Sequence, residues 1–398
     1  MRVKKLLFFA ILFQLIFLTG CWNSREINTL AIAVCTGIDK VEEGYLVTQQ
    51  IINPKAIASK KPTSEAPVVL YSETGRDIFE IMRKLTAKCP RKIYVSHLRM
   101  VVFGEDVAKD GIEDVLDFFA RDHEFRTDFY FVIAKGTTAN KVLSILTPLE
   151  AIPGIDMSDS LKVSEKSWAP TKTVRITELI NSLLADGKNA VLSGIEILEG
   201  EPDSNSTDAL KLSEGMKKLH FVDIGAFKKD KLVGWLSEDD SKGFNYIINN
   251  VKNTVGYLYY NDKTKITVEI ISSKTKLKAS LKNGKPVINV DIKLKAKVGA
   301  VSGQFDVSKE ENKQILIKLL EDRVKERCVK TINIAQKDFK SDIFGFGEVV
   351  HRDLPKTWAK IKSNWDKEFQ TIPANISVSA KVTQLGQVTK PFFIKEKD

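Results

Sequence analysis

The chain has 398 residues, 43% of them hydrophobic and 28% charged, with a formal net charge of +10. That is the composition of an ordinary globular protein, long enough for two or three domains of roughly 100–200 residues that each bury a core. Its four cysteines show no CxxC or Cys/His spacing of the kind that holds zinc.

The first residues are a targeting segment rather than structure. Arg2, Lys4 and Lys5 precede an apolar run from Leu6 to Leu18, interrupted only by Gln14. The run is too short to span a hydrocarbon core, which needs ~20 helical residues. A charged start, a short apolar middle and a small-residue end mark an export signal. It closes in Leu18-Thr19-Gly20-Cys21, which resembles a lipobox. Cleavage before Cys21 and acylation of that residue, as an N-palmitoyl, S-diacylglycerol cysteine, are expected. Two or more acyl chains give stable anchoring where one gives only marginal binding. Removing residues 1–20 takes three positive charges with it, so the mature chain carries 10 − 3 = +7. The excess is scattered, at Lys60-Lys61, Lys217-Lys218, Lys228-Lys229 and alternating positions from Lys274 to Lys297. This reads as a solvated surface, with attraction to anionic lipid headgroups as the alternative. Nucleic acid is not expected for an exported chain.

Leu30–Val34 and Tyr45–Ile52 read as strands, and Ala58–Pro67 as a loop. Ile78, Phe79, Met82 and Leu85 form a helical stripe that Pro90 stops. Ile93–Phe103 reads as a strand, Ile112, Val115, Leu116 and Phe119 as a helix, and Phe129–Ile133 as a strand. This alternation predicts a sheet with helices packed on it. The stretch around Pro148, Pro153 and Pro170 is less regular. A helix near 173–185 and a strand near 190–198 follow, then a polar loop at 199–215. Leu219–Phe227 and Leu232–Leu236 form a hairpin, followed by a helix near 240–250. Several alternating strands fill 255–298, with Asn283-Gly284 as a hairpin turn. A long helix is expected from about 309 to 337, with Leu316, Leu320, Val324, Cys328 and Ile332 on one face. Pro355 opens a further helix striped by Trp358, Ile361, Trp365 and Phe369, and Ile376–Leu385 is a closing strand.

Catalytic chemistry is not visible. The four histidines, His97, His123, His220 and His351, lack metal-ligand spacing. There is no GxSxG elbow and no P-loop, and Gly345-Phe346-Gly347 reads as a tight turn beside a helix. Cys35 and Cys328 fit small buried residues better than disulfide partners. The residues alone leave two classes open: an interaction subunit of a membrane complex, or an extracytoplasmic binding protein for a small nutrient.

Several blocks resemble the Ger(x)C family, the C-subunit lipoproteins of spore germinant receptors. Cys21-Trp22-Asn23-Ser24-Arg25-Glu26-Ile27 is similar to the family's CWDxREI opening, with Asn23 in place of Asp. The similarity runs through Gly37-Ile38-Asp39-Lys40, Ser72–Gly136, Thr147-Pro148-Leu149-Glu150, Gly225–Phe244 and Gln336–Trp365. It implies an α+β fold of three domains, each a mostly antiparallel or mixed sheet flanked by helices, divided here as 22–161, 162–252 and 253–398. It implies assembly with membrane-embedded A and B subunits on the outer face of the spore inner membrane, without catalysis or cofactor. Lipidation of Cys21 is the only site it places.

Overall fold

In the computed structural model the described residues are 26–58, 65–198, 200, 206–208, 211 and 217–384. The strands are β1 (Leu30–Val41), β2 (Gly44–Ile52), β3 (Val68–Gly75), β4 (Lys92–Tyr94), β5 (Met100–Gly104), β6 (Tyr130–Ala134), β7 (Val191–Leu198), β8 (Lys218–Lys228) and β9 (Lys231–Leu236). They form one mixed sheet in the order β3-β2-β1-β5-β6-β7-β8-β9, with β4 beside the start of β1. β1, β5, β6 and β7 run parallel and the flanking pairs antiparallel. The central strands β5 and β6 are buried at every residue, which is why they read as continuous apolar runs.

Helices cover both faces. On one, Ile81 and Leu85 of helix Ile78–Lys88, Leu116 and Phe119 of Glu113–Arg121, and Leu179 of Ile176–Leu184 pack on Val101, Phe103 and Phe131. On the other, helices Ala139–Ser144 and Pro153–Ser167 bring Val142, Leu143, Met157 and Leu161 against Met100, Val102 and Val132. The helix Ile78–Lys88 starts where Asp77 accepts a hydrogen bond from the Glu80 amide at 3.1 Å, an N-cap that satisfies an otherwise orphan donor. Its buried stripe is Ile78, Ile81 and Leu85. Phe79, expected on that stripe, is exposed, because the helix is rotated toward Ile81. The expected strand 93–103 is two strands, β4 and β5, separated by a turn at residues 95–99.

The 15-residue helix Pro153–Ser167 was not legible in the sequence. Pro153 occupies its first turn, where the missing N–H costs nothing. Its buried side includes Gly154 and Ser158 beside Met157 and Leu161, too little apolar surface to show a stripe. A Cβ at Gly154 would stand 2.7 Å from the Cys35 sulfur, so the small residue permits close approach of helix to sheet.

The boundary expected between residues 161 and 162 falls inside this helix, and β6 pairs with β7 across it. The first two expected units therefore share one sheet. The polar loop 199–215, mostly outside the described residues, connects the antiparallel neighbours β7 and β8.

A second sheet holds β10 (Thr254–Asn261), β11 (Thr264–Lys282), β12 (Lys285–Ser302) and β13 (Ala374–Gln384) in that order, with only β12 and β13 parallel. Asn283 and Gly284 take φ of 52° and 75° between β11 and β12, the paired positive values that a two-residue hairpin turn requires. The long helix Glu310–Ile334 buries Leu316, Leu320, Val324, Cys328 and Ile332 against one face. Trp358, Trp365 and Phe369 also lie in this core, on two short helices, Pro355–Ile361 and Trp365–Phe369, joined by a 3₁₀ turn.

Asp342 closes the second core onto the first sheet. Its carboxylate is 2% exposed and accepts from the amides of Phe344 (3.2 Å), Gly345 (2.9 Å), Phe346 (3.1 Å) and Gly347 (2.8 Å), and from Trp365 Nε1 (3.1 Å). Gly345 sits at φ 77° to turn these amides inward. The Asp342 carbonyl accepts from Asn189 N at 2.7 Å, and Ser341 Oγ donates to Phe227 O. At Gly347 a Cβ would meet Gly187 Cα at 2.5 Å, so the two backbones touch. Burial pushes the Asp342 carboxyl up to about 6 against the pull of its five donors.

Two outcomes are expected. The Asp342 carboxyl resonance should titrate near pH 6. Because the folded chain then holds this proton more tightly than the unfolded chain, the group's contribution is full below the ordinary carboxylate range and is lost as pH rises through about 6. Asp342→Asn places an amide donor against these N–H groups and should cost about 1–3 kcal/mol in denaturant unfolding. Wild-type stability would mean the cradle is not what holds the segment.

Candidate functional site

Cys21, the single site residue expected from the sequence, lies outside the described residues. The described chain begins at Glu26, makes a 3₁₀ turn at Ile27–Thr29 and enters β1, which is central in the first sheet. Glu26 is five positions after Cys21, so the two lie no more than ~18 Å apart.

The buried charges are used to join elements. Asp39, at the end of β1, accepts from Ala139 N (2.7 Å) and Asn140 N (2.8 Å) and so holds the start of helix Ala139–Ser144. Burial raises its carboxyl above the usual range. Lys242 lies 3.4 Å from the centre of the Trp168 ring and 3.0 Å from Glu238, to which Trp168 Nε1 also donates at 2.9 Å. Burial holds the Lys242 ammonium below its ordinary value. Arg327 pairs with Asp239, and Lys330 with Asp240 at 2.9 Å. This network ties helix Glu238–Ile247 to the long helix. None of these groups was legible as buried, because an acid or lysine on a helix reads as solvated until its packing partner is known.

Two concave surfaces open between the sheets' layers. One, about 680 Å³, lies between helices Glu113–Arg121 and Ile176–Leu184 and the segment Lys362–Lys367, with Leu116, Leu183 and Trp365 beside Asp117, Lys188 and Lys367. Lys228 and Asp366 make an ion pair of 3.5 Å nearby. The other, about 640 Å³, is polar and contains Tyr130, Arg175, Glu178, Lys188 and Glu348. Arg175 donates to the Tyr130 hydroxyl at 3.3 Å, and Glu178 pairs with Lys172. Both were invisible in the sequence, since each draws residues from segments far apart in the chain.

The histidines do not converge. His97 contacts Tyr94, His220 pairs with Glu196 at 3.1 Å, His351 stacks on Trp358, and His123 lies in the turn after helix Glu113–Arg121. Among the described residues, no three His, Cys, Asp or Glu side chains gather in a metal-holding group, and no helix is long and apolar enough to cross a membrane. Cys35, Cys89 and Cys328 are free and buried. Burial drives the Cys35 thiol far up and the Cys328 thiol up to about 12, so neither supplies thiolate near neutrality. A thiol reagent should therefore label the native chain slowly, and should find these three thiols once the unreduced protein is unfolded. A count of one would show that two of them are bridged.

Residues 23–197 match the family described as spore germination protein N-terminal domain, and residues 223–386 match spore germination B3/GerAC like, C-terminal. Spore germination protein KC of Bacillus subtilis (strain 168) is 30% identical over 404 residues, covering 99% of each chain. Spore germination protein B3 of the same organism is 25% identical over 390 residues, covering 96% of this chain and 98% of its own. The crystal structure of the GerBC protein shares the fold, with a TM-score of 0.56 and 22% identity over 87% of this chain and 96% of that one. The two matched regions together take in both sheets and the helices that join them, and the chain belongs to the GerAC-like, or Ger(x)C, family of spore germination proteins.

Proposed function

We propose that the chain is the lipid-anchored C subunit of a spore germinant receptor. Cys21 would hold it on the outer face of the spore inner membrane, where it assembles with membrane-embedded A and B subunits in nutrient-triggered germination. The observation that carries this reading is end-to-end similarity to spore germination proteins in a chain whose apolar leader stops at Leu18-Thr19-Gly20-Cys21. The chain acts in this reading by assembly, without catalysis of its own. In support, Asp39 and Asp342 are spent on backbone amides and the thiols are sealed. Confinement at the membrane raises effective concentration, so a modest intrinsic affinity for the partners suffices.

The polar recess supports a second reading, a binding protein for a small nutrient. Arg175 and Lys188 beside Glu178 and Glu348 offer both signs of charge, as a zwitterion such as an amino acid requires.

Two measurements test these readings. Fatty-acid labelling should mark the wild-type chain and be lost in Cys21→Ala, leaving an uncleaved or mislocalised precursor; unchanged labelling would place the anchor elsewhere. Pull-down of the intact lipoprotein should recover A and B subunits, while calorimetry with amino acids and sugars shows no heat of binding. Tight nutrient binding with no membrane subunit recovered would select the second reading.

A further inference from the structure

The second sheet has two unlike faces. On the inner one, Ile288, Val290, Ile292, Leu294 and Ala296 of β12 are buried under the long helix. The alternate positions face away and are exposed. There, Lys274, Lys276 and Lys278 of β11 stand beside Lys293 and Lys295 of β12 and Lys381 of β13. The register sets Lys274 opposite Lys293 and Lys295 opposite Lys381. Like charges directly opposite each other destabilise a sheet, and Asp291, which the register sets opposite Lys276, is the one acid among these facing pairs. Asp291 accepts from Ser377, Asp353 pairs with Arg352 at 2.8 Å, and Glu269 pairs with Lys297 at 2.8 Å and accepts from Asn253 at 2.7 Å. Among the described residues, none of the six lysines has a carboxylate at ion-pair distance.

The make-up of this face selects its occupant. All its cations are lysines, and residues 254–302 and 374–384 contain no arginine. Protein interface centres are depleted in lysine and enriched in arginine and aromatics. A lysine is a compact, hydrated point charge on a flexible stem, which suits a surface of mobile headgroups. At the lysines the face is three strands, β11, β12 and β13, spaced ~4.8 Å apart and so roughly 10 Å across, because β10 pairs only with the start of β11. At its β10 edge the exposed Tyr257 and Tyr259 pair with Thr267 and Lys265, and tyrosine is enriched where apolar lipid meets water. The tether leaves from the end of the first sheet that meets the second core. β1 starts at the edge of the first sheet where Val191 and Ala226 pair, and the second core packs against that same edge through Asn189 and Phe227.

We propose that this lysine face is apposed to the bilayer and docks on anionic lipid headgroups. The inference rests on the lipid-anchored reading and adds an orientation to it. The anchor holds Glu26 within ~18 Å of the acylated cysteine, and the lysines then act over a Debye length of about 8–10 Å to bring one face down.

The test uses the mature lipoprotein in vesicles of phosphatidylcholine alone or of phosphatidylcholine with phosphatidylglycerol, with amine acetylation read residue by residue. At low salt, acetylation of Lys274, Lys276, Lys293, Lys295 and Lys381 should fall several-fold in the anionic vesicles only, and recover at high salt. Lys318, Lys325 and Lys337, on and beyond the long helix, should be unchanged. The triple variant Lys293→Ser, Lys295→Ser, Lys381→Ser should fold at least as stably, and lose affinity for the anionic surface by about fivefold per lysine, seen as lost protection of Lys274 and Lys276. Equal acetylation in both lipids, or protection that survives in the triple variant, overturns the proposal. So does protection that follows a co-purified membrane protein whatever the headgroup. Failure of the anchor is distinguishable: a chain that washes off both vesicles at high salt is not lipid-anchored, yet its low-salt protection still decides the face.

Discussion

The fold depends on one buried carboxylate. Asp342 gathers four consecutive-turn amides and an indole N–H into a single acceptor, and in doing so fixes a segment that belongs to both cores. On one side its backbone carbonyl and the Ser341 hydroxyl hydrogen-bond to Asn189, just before β7, and to Phe227, near the end of β8. On the other its side chain positions Phe346 and Trp365 within the second core. An acceptor with this many donors has little freedom to move, so the relative placement of the sheets is set by a short-range, directional interaction as well as by apolar contact. The touching backbones of Gly187 and Gly347 leave no space for a slip between them.

Local periodicity revealed most of the elements. The long helix, the hairpin at Asn283-Gly284 and the Trp358–Phe369 stripe each bury a regular series of side chains, and each could be read residue by residue. Elements whose burial is irregular were hidden. The helix Pro153–Ser167 packs through glycine and serine, and β4 and β5 merge in the sequence because the turn between them keeps Val95 and Leu98 apolar and buried. The division of the chain was hidden for a different reason. A break between residues 161 and 162 looks plausible when strands are counted in order, yet β7 returns to pair with β6. Which strand adds to which edge is decided by packing over long sequence separations.

The candidate surfaces follow the same logic. Cys21 was legible because an export signal is read as a linear string, by charge, apolar length and small residues. The recess holding Arg175 and Glu348 was not, since 172 or so positions of intervening chain must fold before the two meet. The alternating lysines between Lys274 and Lys297 were visible as a composition but carried no direction. Only the register of β11, β12 and β13 shows that they stand on one face. Buried Asp39, Lys242 and Asp342 escaped notice because polarity alone predicts solvent, while the backbone amides around the two aspartates and the Glu238 carboxylate and Trp168 ring beside Lys242 come together only in the fold.

The parallel pairing of β12 with β13 has a consequence for the order in which the molecule is completed. A parallel neighbour requires a crossover, and here it contains the long helix and everything to Ala374. Ile288 thus waits for a partner 86 positions later. A chain emerging from its N-terminus assembles the whole first sheet while the second still lacks its last strand. Until β13 arrives, one edge of β12 is open and part of the long helix has nothing to cover, and such edges template association between chains. Once seated, β13 is itself guarded, because Glu321 from the long helix accepts the Ala380 amide at 2.9 Å on its outer side. Non-local closure of this kind slows as the chain it must bring together lengthens, so β13 acts as the latch of the second core.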